Sequence, residues 1–462
     1  MSVDVIVVGA GLSGLVTAHR LHRAGFSVRV LEAAARPGGV IGSERREGVL
    51  FERGPNSAMD TSPSINALLD ELGIRAERIN ASEAAARRYV VCGGRLTPLP
   101  TSAGSFITTP LFSAAAKIRL FGEPFVRRAP GQVEESIAQF VRRRLGHEFL
   151  DYAVEPFVSG IYAGDPEQLS LPAAFPRLHE LEQRYGSLFI GALRGARQRR
   201  KEGATPKIAA TSFSFREGMQ ALTDALAAGL PAVECGTAAR GLARRSDGSW
   251  VLDVAGSDDP VRTSRAVVLA LPAYGAAPLV RACAPRAADA LAGIAYAPIV
   301  IVVSAYRRAD VAHPLDGFGF LAPAVERTRL LGTLFSSTMF EHRAGDGTVV
   351  FTSFLGGRRN PAQAAASESE LQETVHDELV HLVGAGGQPS MTEVTRWPQA
   401  IPQYSFGHRE RIGELERAEQ EHAGLFFCAN YRGGVSISDC ISRGTETARL
   451  VAGHLGPSGR DR

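Results

Sequence analysis

The chain has 462 residues, 45% hydrophobic and 21% charged, enough apolar material for a full core, so one small domain and wholesale disorder are both excluded. Lys and Arg total 51 against 48 Asp and Glu, a formal net charge of +3, so no polyanion-coating surface and no nucleic-acid partner is expected. The five cysteines (Cys92, Cys235, Cys283, Cys428, Cys440) form no CxxC pair and there is no HExxH, so neither a disulfide framework nor a metal site is expected, and a reducing cytoplasm is.

In chain order, Val3–Val8 is an almost unbroken apolar run, as a strand covered on both faces requires. The opening MSVDVIVVGAG carries no basic n-region or cleavage site, so a secretory precursor is not expected. Leu12, Leu15, Val16 and Leu21 have helical spacing, which predicts a helix over 12–24 that Gly25 stops. Val28, Val30 and Leu31 resume as strand. Residues 81–207 read as mainly helical, with Arg clusters at 87–88, 127–128, 142–144 and 199–200, interrupted at Pro124, Pro130, Gly131, Pro156, Pro166 and Pro172. Strands follow over 250–254, 266–271, 300–304 and 349–354. The chain then closes with a strand at 425–428, a glycine turn, a helix over about 438–454, and a short 459–462 tail. No stretch reads as a membrane-spanning helix. Residues 290–306 contain Pro298 and a β-branched run, and 97–116 contain Pro98, Pro100 and Pro110. The latter stretch carries Phe106, Ile107, Leu111 and Phe112 beside Lys117 and Arg119, a pattern suited to dipping into a membrane surface.

Gly9-Ala10-Gly11-Leu12-Ser13-Gly14 is a GxGxxG between strand and helix. Gly9 permits the tight turn, Gly11 lets a pyrophosphate reach the backbone, and Gly14 lets helix and strand pack closely, with the phosphates on the helix N-terminus. Glu32 ends the second strand, 18 residues after Gly14, where a carboxylate binds a ribose hydroxyl. Arg36-Pro37-Gly38-Gly39, followed by Val40, and then Gly54-Pro55-Asn56-Ser57, are steps where backbone passes close to a flat ligand. Following Glu32 at this distance, Arg-x-Gly-Gly resembles the second signature of FAD enzymes of the glutathione-reductase-like and amine-oxidase-like families. No second GxGxxG of this type follows, so the substrate itself is expected to reduce the flavin. Near the C-terminus, Gly434-Val435-Ser436-Ile437 leads into the last helix, whose N-terminus is suited to the flavin N1–C2=O edge; Ser438 or Asp439 would also cap it. Trp397 is a candidate to flank the ring system.

These residues and several further blocks resemble one family throughout the chain, the protoporphyrinogen oxidases and their coproporphyrinogen-oxidising relatives. The blocks are VIVVGAGLSGLVTAHRL, VLEAAARPGGVIGS and FERGPNS at the start, then RRYVVCGGRLTPLP and SGIYAGDPEQLS. GIAYAPI, DGFGFL, RWPQAIPQYSFGH and GVSISDCI follow. The resemblance implies an α/β, amine-oxidase-like flavoprotein with a Rossmann-like FAD domain, a substrate domain and a helical membrane-associating domain. The FAD domain would comprise 1–80, 208–271 and 396–462, the helical region 81–207 and the substrate domain 272–395. It further implies non-covalent FAD and six-electron oxidation of a porphyrinogen to the porphyrin by O2, a late step of haem biosynthesis. The expected address is cytoplasmic, peripherally on the cytoplasmic face of a membrane, with a homodimer as a further candidate state.

Site roles follow from the same resemblance. Asn56 and Gly160 would occupy the catalytic positions beside flavin and macrocycle. Arg88 would pair with a substrate propionate, while Leu321, Leu334 and Phe354 would wall the rings. Ala239 would meet the adenine side through its backbone. His19, His22 and His408 read as structural or exposed. An amine oxidase or carotenoid desaturase remains open, although the only lysines, Lys117, Lys201 and Lys207, lie in or at the edge of the Arg-rich region, whereas many amine oxidases place one near flavin N5. A non-enzymatic relative also remains open, as does coproporphyrinogen III in place of protoporphyrinogen IX.

Overall fold

Two seven-stranded sheets organise the molecule, as seen in a computed structural model that describes residues 3–61, 63–129, 133–201 and 211–457. Pro130, Gly131, Lys207 and the 459–462 tail lie outside the described residues, as do the side chains of Arg199, Arg200 and Lys201.

The first sheet has a parallel centre. Val3–Val8 pairs with Val28–Leu31 on one side and with Val261–Leu269 on the other, and Leu425–Phe427 adds to the latter. Its central strand is fully buried from Val5 to Val7, which is why the run is apolar without alternation. The opening helix, Leu12–Arg23, packs on the last one, Ile437–Leu455. The crossing point is Gly444: a Cβ there would stand 2.8 Å from Ser13 O, and the Thr17 hydroxyl donates to Gly444 O at 3.1 Å. Both ends of the chain therefore complete one layer.

The second sheet runs Met391–Pro402, Tyr296–Arg307, Thr348–Gly356, Gly332–Phe335, Gly317–Leu321, Arg87–Cys92, Arg95–Pro98. Residues 87–98, read from sequence as part of a helical stretch, are thus two strands of this sheet. Alternation is the reason: Tyr89 and Val91 bury in one core while Val90 buries in another, and Gly93-Gly94 turn the hairpin with positive φ. Trp397, grouped from sequence with the closing part of the FAD domain, likewise lies on a strand of this sheet. One face is covered by the helix Glu368–Val383, through Leu371, Val375 and Leu379.

The helices between residues 103 and 175 pack around Phe112 and Phe149, whose rings stack at 4.1 Å. This corrects the sequence expectation for the 97–116 stretch. Leu111 and Phe112 are buried and Phe106 is half-buried against them, so these three side chains face the core, while Ile107 of the same stretch is exposed. Lys117 caps backbone carbonyls of Ile107 and Thr109, and Arg119 those of Arg142 and Arg143. A fully buried Arg144 ties this region together, donating to Glu123 at 2.6 Å and to Glu182 at 2.7 Å. No helix among the described residues is long and apolar enough to cross a membrane.

Candidate dinucleotide and substrate site

The three glycines of the opening motif differ in what surrounds them. A Cβ on Gly9, which has φ +104°, would stand 2.5 Å from Ala270 O, and one on Gly14 only 2.1 Å from Gly9 O. Gly11, the N-cap of the opening helix, would meet no protein atom within 4 Å. Two glycines are therefore closed by the protein's own packing and the third opens onto space at a helix N-terminus, where backbone N–H groups favour an anion. Ala10, Leu12 and Ser13 are buried around it. Glu32 accepts the Ala10 N–H and the Ala34 N–H, each at 2.8 Å, and each oxygen keeps a free acceptor position for a ribose hydroxyl. Ala239 lies on the strand Ala238–Arg244, just past Thr237, whose N–H donates to Glu32 O.

The next glycine step is bound to the first. Gly38 N–H donates to Ala10 O at 2.8 Å, and Gly39 sits over Gly11. Arg36 braces this loop by donating to Pro37 O and Ile41 O. The Gly54-Pro55-Asn56-Ser57 segment passes directly beneath it, since a Cβ on Gly54 would stand 2.1 Å from Val40 O. Asn56 is half-buried and donates to Gly54 O. Trp397 reaches the same segment, its Nε1–H donating to Arg53 O at 2.6 Å. The last helix arrives alongside: Ser436 caps it in a box with Asp439, and Ser438 donates to Met59 O, three residues past Asn56. Gly434 and Val435 lead in, with Val435 in one apolar cluster with Leu321, Ile401 and Tyr404. These residues fit a dinucleotide: an open helix N-terminus, a carboxylate at the adjacent strand end, and two glycine-rich loops folded over them.

The residues expected to contact substrate share a sheet face. Val90, Leu321, Gly332, Phe354 and Ile301 pair in one row across five strands, and Gly319 and Leu334 form the neighbouring pair two residues along. Residues paired across strands project on one side, as do those two apart within a strand. Arg88, two residues before Val90 on the same strand and one before the buried Tyr89, lies at the edge of this face. Its guanidinium is exposed, lies 5.3 Å over the Phe318 ring, and meets no carboxylate among the described residues. Its neighbours Arg87 and Tyr89 are both committed to Asp316. Gly160, on the helix Glu155–Tyr162, closes on this face, a Cβ there standing 3.0 Å from Leu321 Cδ2. The helix enters through a π-helical turn, Leu150–Val154.

Sequence reasoning did not single out Tyr404, Phe318 or Glu155, all of which shape this region, although Tyr404 lies within the RWPQAIPQYSFGH block and Phe318 within DGFGFL. His408 is 3% exposed, and burial drives its imidazole down to about 4 despite its bond to Tyr431 O, so it is neutral. Among the described residues no group of three or more His, Cys, Asp or Glu is placed to hold a metal ion.

Comparison with known proteins gives a consistent picture. A family model described as flavin containing amine oxidoreductase matches residues 12–452. Protoporphyrinogen oxidase 2, chloroplastic/mitochondrial, of Arabidopsis thaliana is 32% identical over 99% of this chain and 95% of its own length. Coproporphyrinogen III oxidase of Bacillus subtilis (strain 168) is 26% identical over 95% and 96%. A crystal structure from Exiguobacterium sp. 255-15, of a protein assigned to the protoporphyrinogen oxidases, has the same fold, with a TM-score of 0.81 at 23% identity over 98% and 99% of the two chains. The expected cytoplasmic address is corrected by the Arabidopsis relative, which is a chloroplastic/mitochondrial protein. The five cysteines are unpaired, and unpaired cysteines do not choose among compartments.

Proposed function

The chain belongs to the protoporphyrinogen and coproporphyrinogen oxidases, within the flavin-containing amine oxidoreductases, and on that premise we propose that it oxidises protoporphyrinogen IX to protoporphyrin IX. Three two-electron steps remove six electrons and six hydrogens, and three O2 become three H2O2. Non-covalently bound FAD supplies the two-electron acceptor; the protein's own residues supply position and a dry surface. Gly11 with Leu12 and Ser13 would hold the pyrophosphate, Glu32 the ribose, and Ala239 the adenine side. The Gly39–Val40 and Gly54–Ser57 segments, Trp397 and the Gly434–Ile437 turn would hold the flavin, with the last helix directed at its N1–C2=O edge. Asn56 and the Gly160 backbone would stand between flavin and macrocycle.

The observation that carries this reading is the shared face of Leu321, Leu334 and Phe354, closed on one side by Gly160 and edged by the unpaired cation Arg88. Apolar walls suit a tetrapyrrole, and a guanidinium fork suits a propionate. A single free cation among these residues favours protoporphyrinogen IX over the more anionic coproporphyrinogen III. Initial rates on both substrates, followed by porphyrin fluorescence, test the assignment. A faster rate on coproporphyrinogen III would reassign the substrate, and no porphyrin from either would overturn the reading.

Residues 1–80, 208–271 and 396–462 serve FAD in this reading, 272–395 the substrate, and 81–207 the helical region, with 87–98 lent to the substrate sheet. The helical region would also rest on a membrane surface. Ile118, Phe121 and Phe125 are 69%, 82% and 89% exposed, and exposed Arg127 and Arg128 follow directly. Apolar groups beside cations suit an anionic bilayer interface, near which a poorly soluble substrate collects.

A further inference from the structure

The 430–434 turn between the last strand and the last helix is held by two side chains from the RWPQAIPQYSFGH block. Tyr404, 3% exposed, donates its hydroxyl to Asn430 O at 2.7 Å and accepts the Gly434 N–H at 2.9 Å. His408 lies four residues on, its ring stacked on that of Tyr404 at 4.2 Å, and its Nε2–H donates to Tyr431 O at 2.9 Å. Three hydrogen bonds thus pin both ends and the interior of a five-residue turn. The turn itself needs pinning, because Gly433 and Gly434 have φ +92° and +127° and would otherwise be free to swing. Directly after it, the box between Ser436 and Asp439 starts the helix. None of these contacts is required by the porphyrinogen face.

We propose that Tyr404 and His408 are positioning residues for the cofactor: by gripping the 430–434 turn they fix the angle at which the last helix presents its N-terminal N–H groups to the flavin, and so raise its reduction potential. The inference rests on the reading that this helix faces the N1–C2=O edge, where reduction places negative charge.

The test uses purified holoenzyme and reads the two-electron midpoint potential by dye equilibration, with FAD content measured alongside. Tyr404→Phe keeps the ring and the stacking but loses both hydrogen bonds. It should keep one FAD per chain and lower the reduction equilibrium about three- to tenfold, about 15–30 mV. His408→Phe keeps a stacked ring, should shift the potential in the same direction, and carries the comparison alone if Tyr404→Phe does not fold. Gly434→Ala perturbs the helix start directly, since its Cβ would stand 2.3 Å from Asp439 Oδ2. If Gly434→Ala moves the potential and the two ring variants do not, the proposal is overturned while the helix reading stands. If none of the three moves it, the helix reading itself fails. Loss of FAD at unchanged melting temperature would also overturn the proposal, making the pair a binding strut.

Discussion

Gly160 and Leu321 approach closely across the gap between a helix and the substrate sheet: an added Cβ at Gly160 would stand 3.0 Å from Leu321 Cδ2, so the leucine methyl would have to give way. Valine at Gly160 would therefore push into the proposed macrocycle space or displace Leu321. Overpacking of this kind costs about 1–3 kcal/mol, so KM for porphyrinogen should rise roughly five- to a hundredfold at unchanged FAD content. Adding Leu321→Ala should recover most of the loss. A double variant as impaired as Gly160→Val alone would show that the contact does not line the substrate path.

The three motif glycines should separate binding from folding. Gly11→Val points into open space, so the apoprotein should melt as wild type does but purify colourless. Gly14→Ala drives a methyl into Gly9 O, 2.1 Å away, and should lower the melting temperature of the apoprotein itself. Calorimetry of both apoproteins with flavin absorbance of the purified forms checks this. Equal destabilisation by the two would contradict the assignment of Gly11.

Arg88→Ala should raise KM for porphyrinogen about ten- to a hundredfold, the usual range of about 1.5–3 kcal/mol for a hydrogen bond to a charged group. FAD content and melting temperature should not move, because the guanidinium is exposed and meets no carboxylate among the described residues. Steady-state kinetics with unchanged KM would make Arg88 an ordinary surface residue.

Arg144 holds two buried carboxylates. Burial alone would raise their pKa values, but Ser187, the Leu188 N–H and Arg144 hold Glu123 below its usual range, and Arg143 with Arg144 do the same for Glu182. Groups with depressed folded values add stability above the ordinary carboxylate pKa and lose it as pH falls through the folded value. Arg144→Met should cost about 3–5 kcal/mol at neutral pH by leaving buried Glu123 without a cation and Glu182 with Arg143 alone. It should also move the acid-side loss of stability to higher pH. Urea titrations across pH 4–7 (about the window concerned) would show it; an unchanged acid limb would contradict the account.

Flotation with anionic liposomes tests the membrane contact on the side chains that are exposed. Wild type should float at low salt, and an Ile118/Phe121/Phe125 triple change to Ser should stay at the bottom while remaining folded and yellow. Substituting Leu111 or Phe112 would instead damage the core, since both are buried. Wild type that fails to float would remove the membrane contact and leave the flavin site untouched.

Much of the candidate dinucleotide site was readable in the sequence. A parallel strand, a glycine turn, a helix and a strand-end acid are set by backbone geometry within about thirty residues, and short-range constraints leave direct marks in sequence. Glu32 and the three glycines occupy the positions that spacing predicted. Tyr404 was legible only as a member of a shared block and His408 only as a structural or exposed histidine, because their partners at 430–434 lie over twenty residues away and no local pattern records them.

By itself, then, the sequence determined what depends on neighbours along the chain: the opening βαβ unit, the closing helix and the loops that pass a flat ligand. Tertiary structure alone decided which apolar residues face what. Phe112, in the turn before the helix Ala114–Phe121, and Phe121, at that helix's end, have identical chemistry, yet one is 4% exposed and the other 82%. It also decided that 87–98 would pair as strands, and that Val90, Leu321, Phe354 and Ile301, drawn from separate stretches, would form one row. The physical reason is that burial and register are properties of non-local pairing: a side chain's chemistry is written in its residue, but the surface it meets is supplied by chain hundreds of residues away.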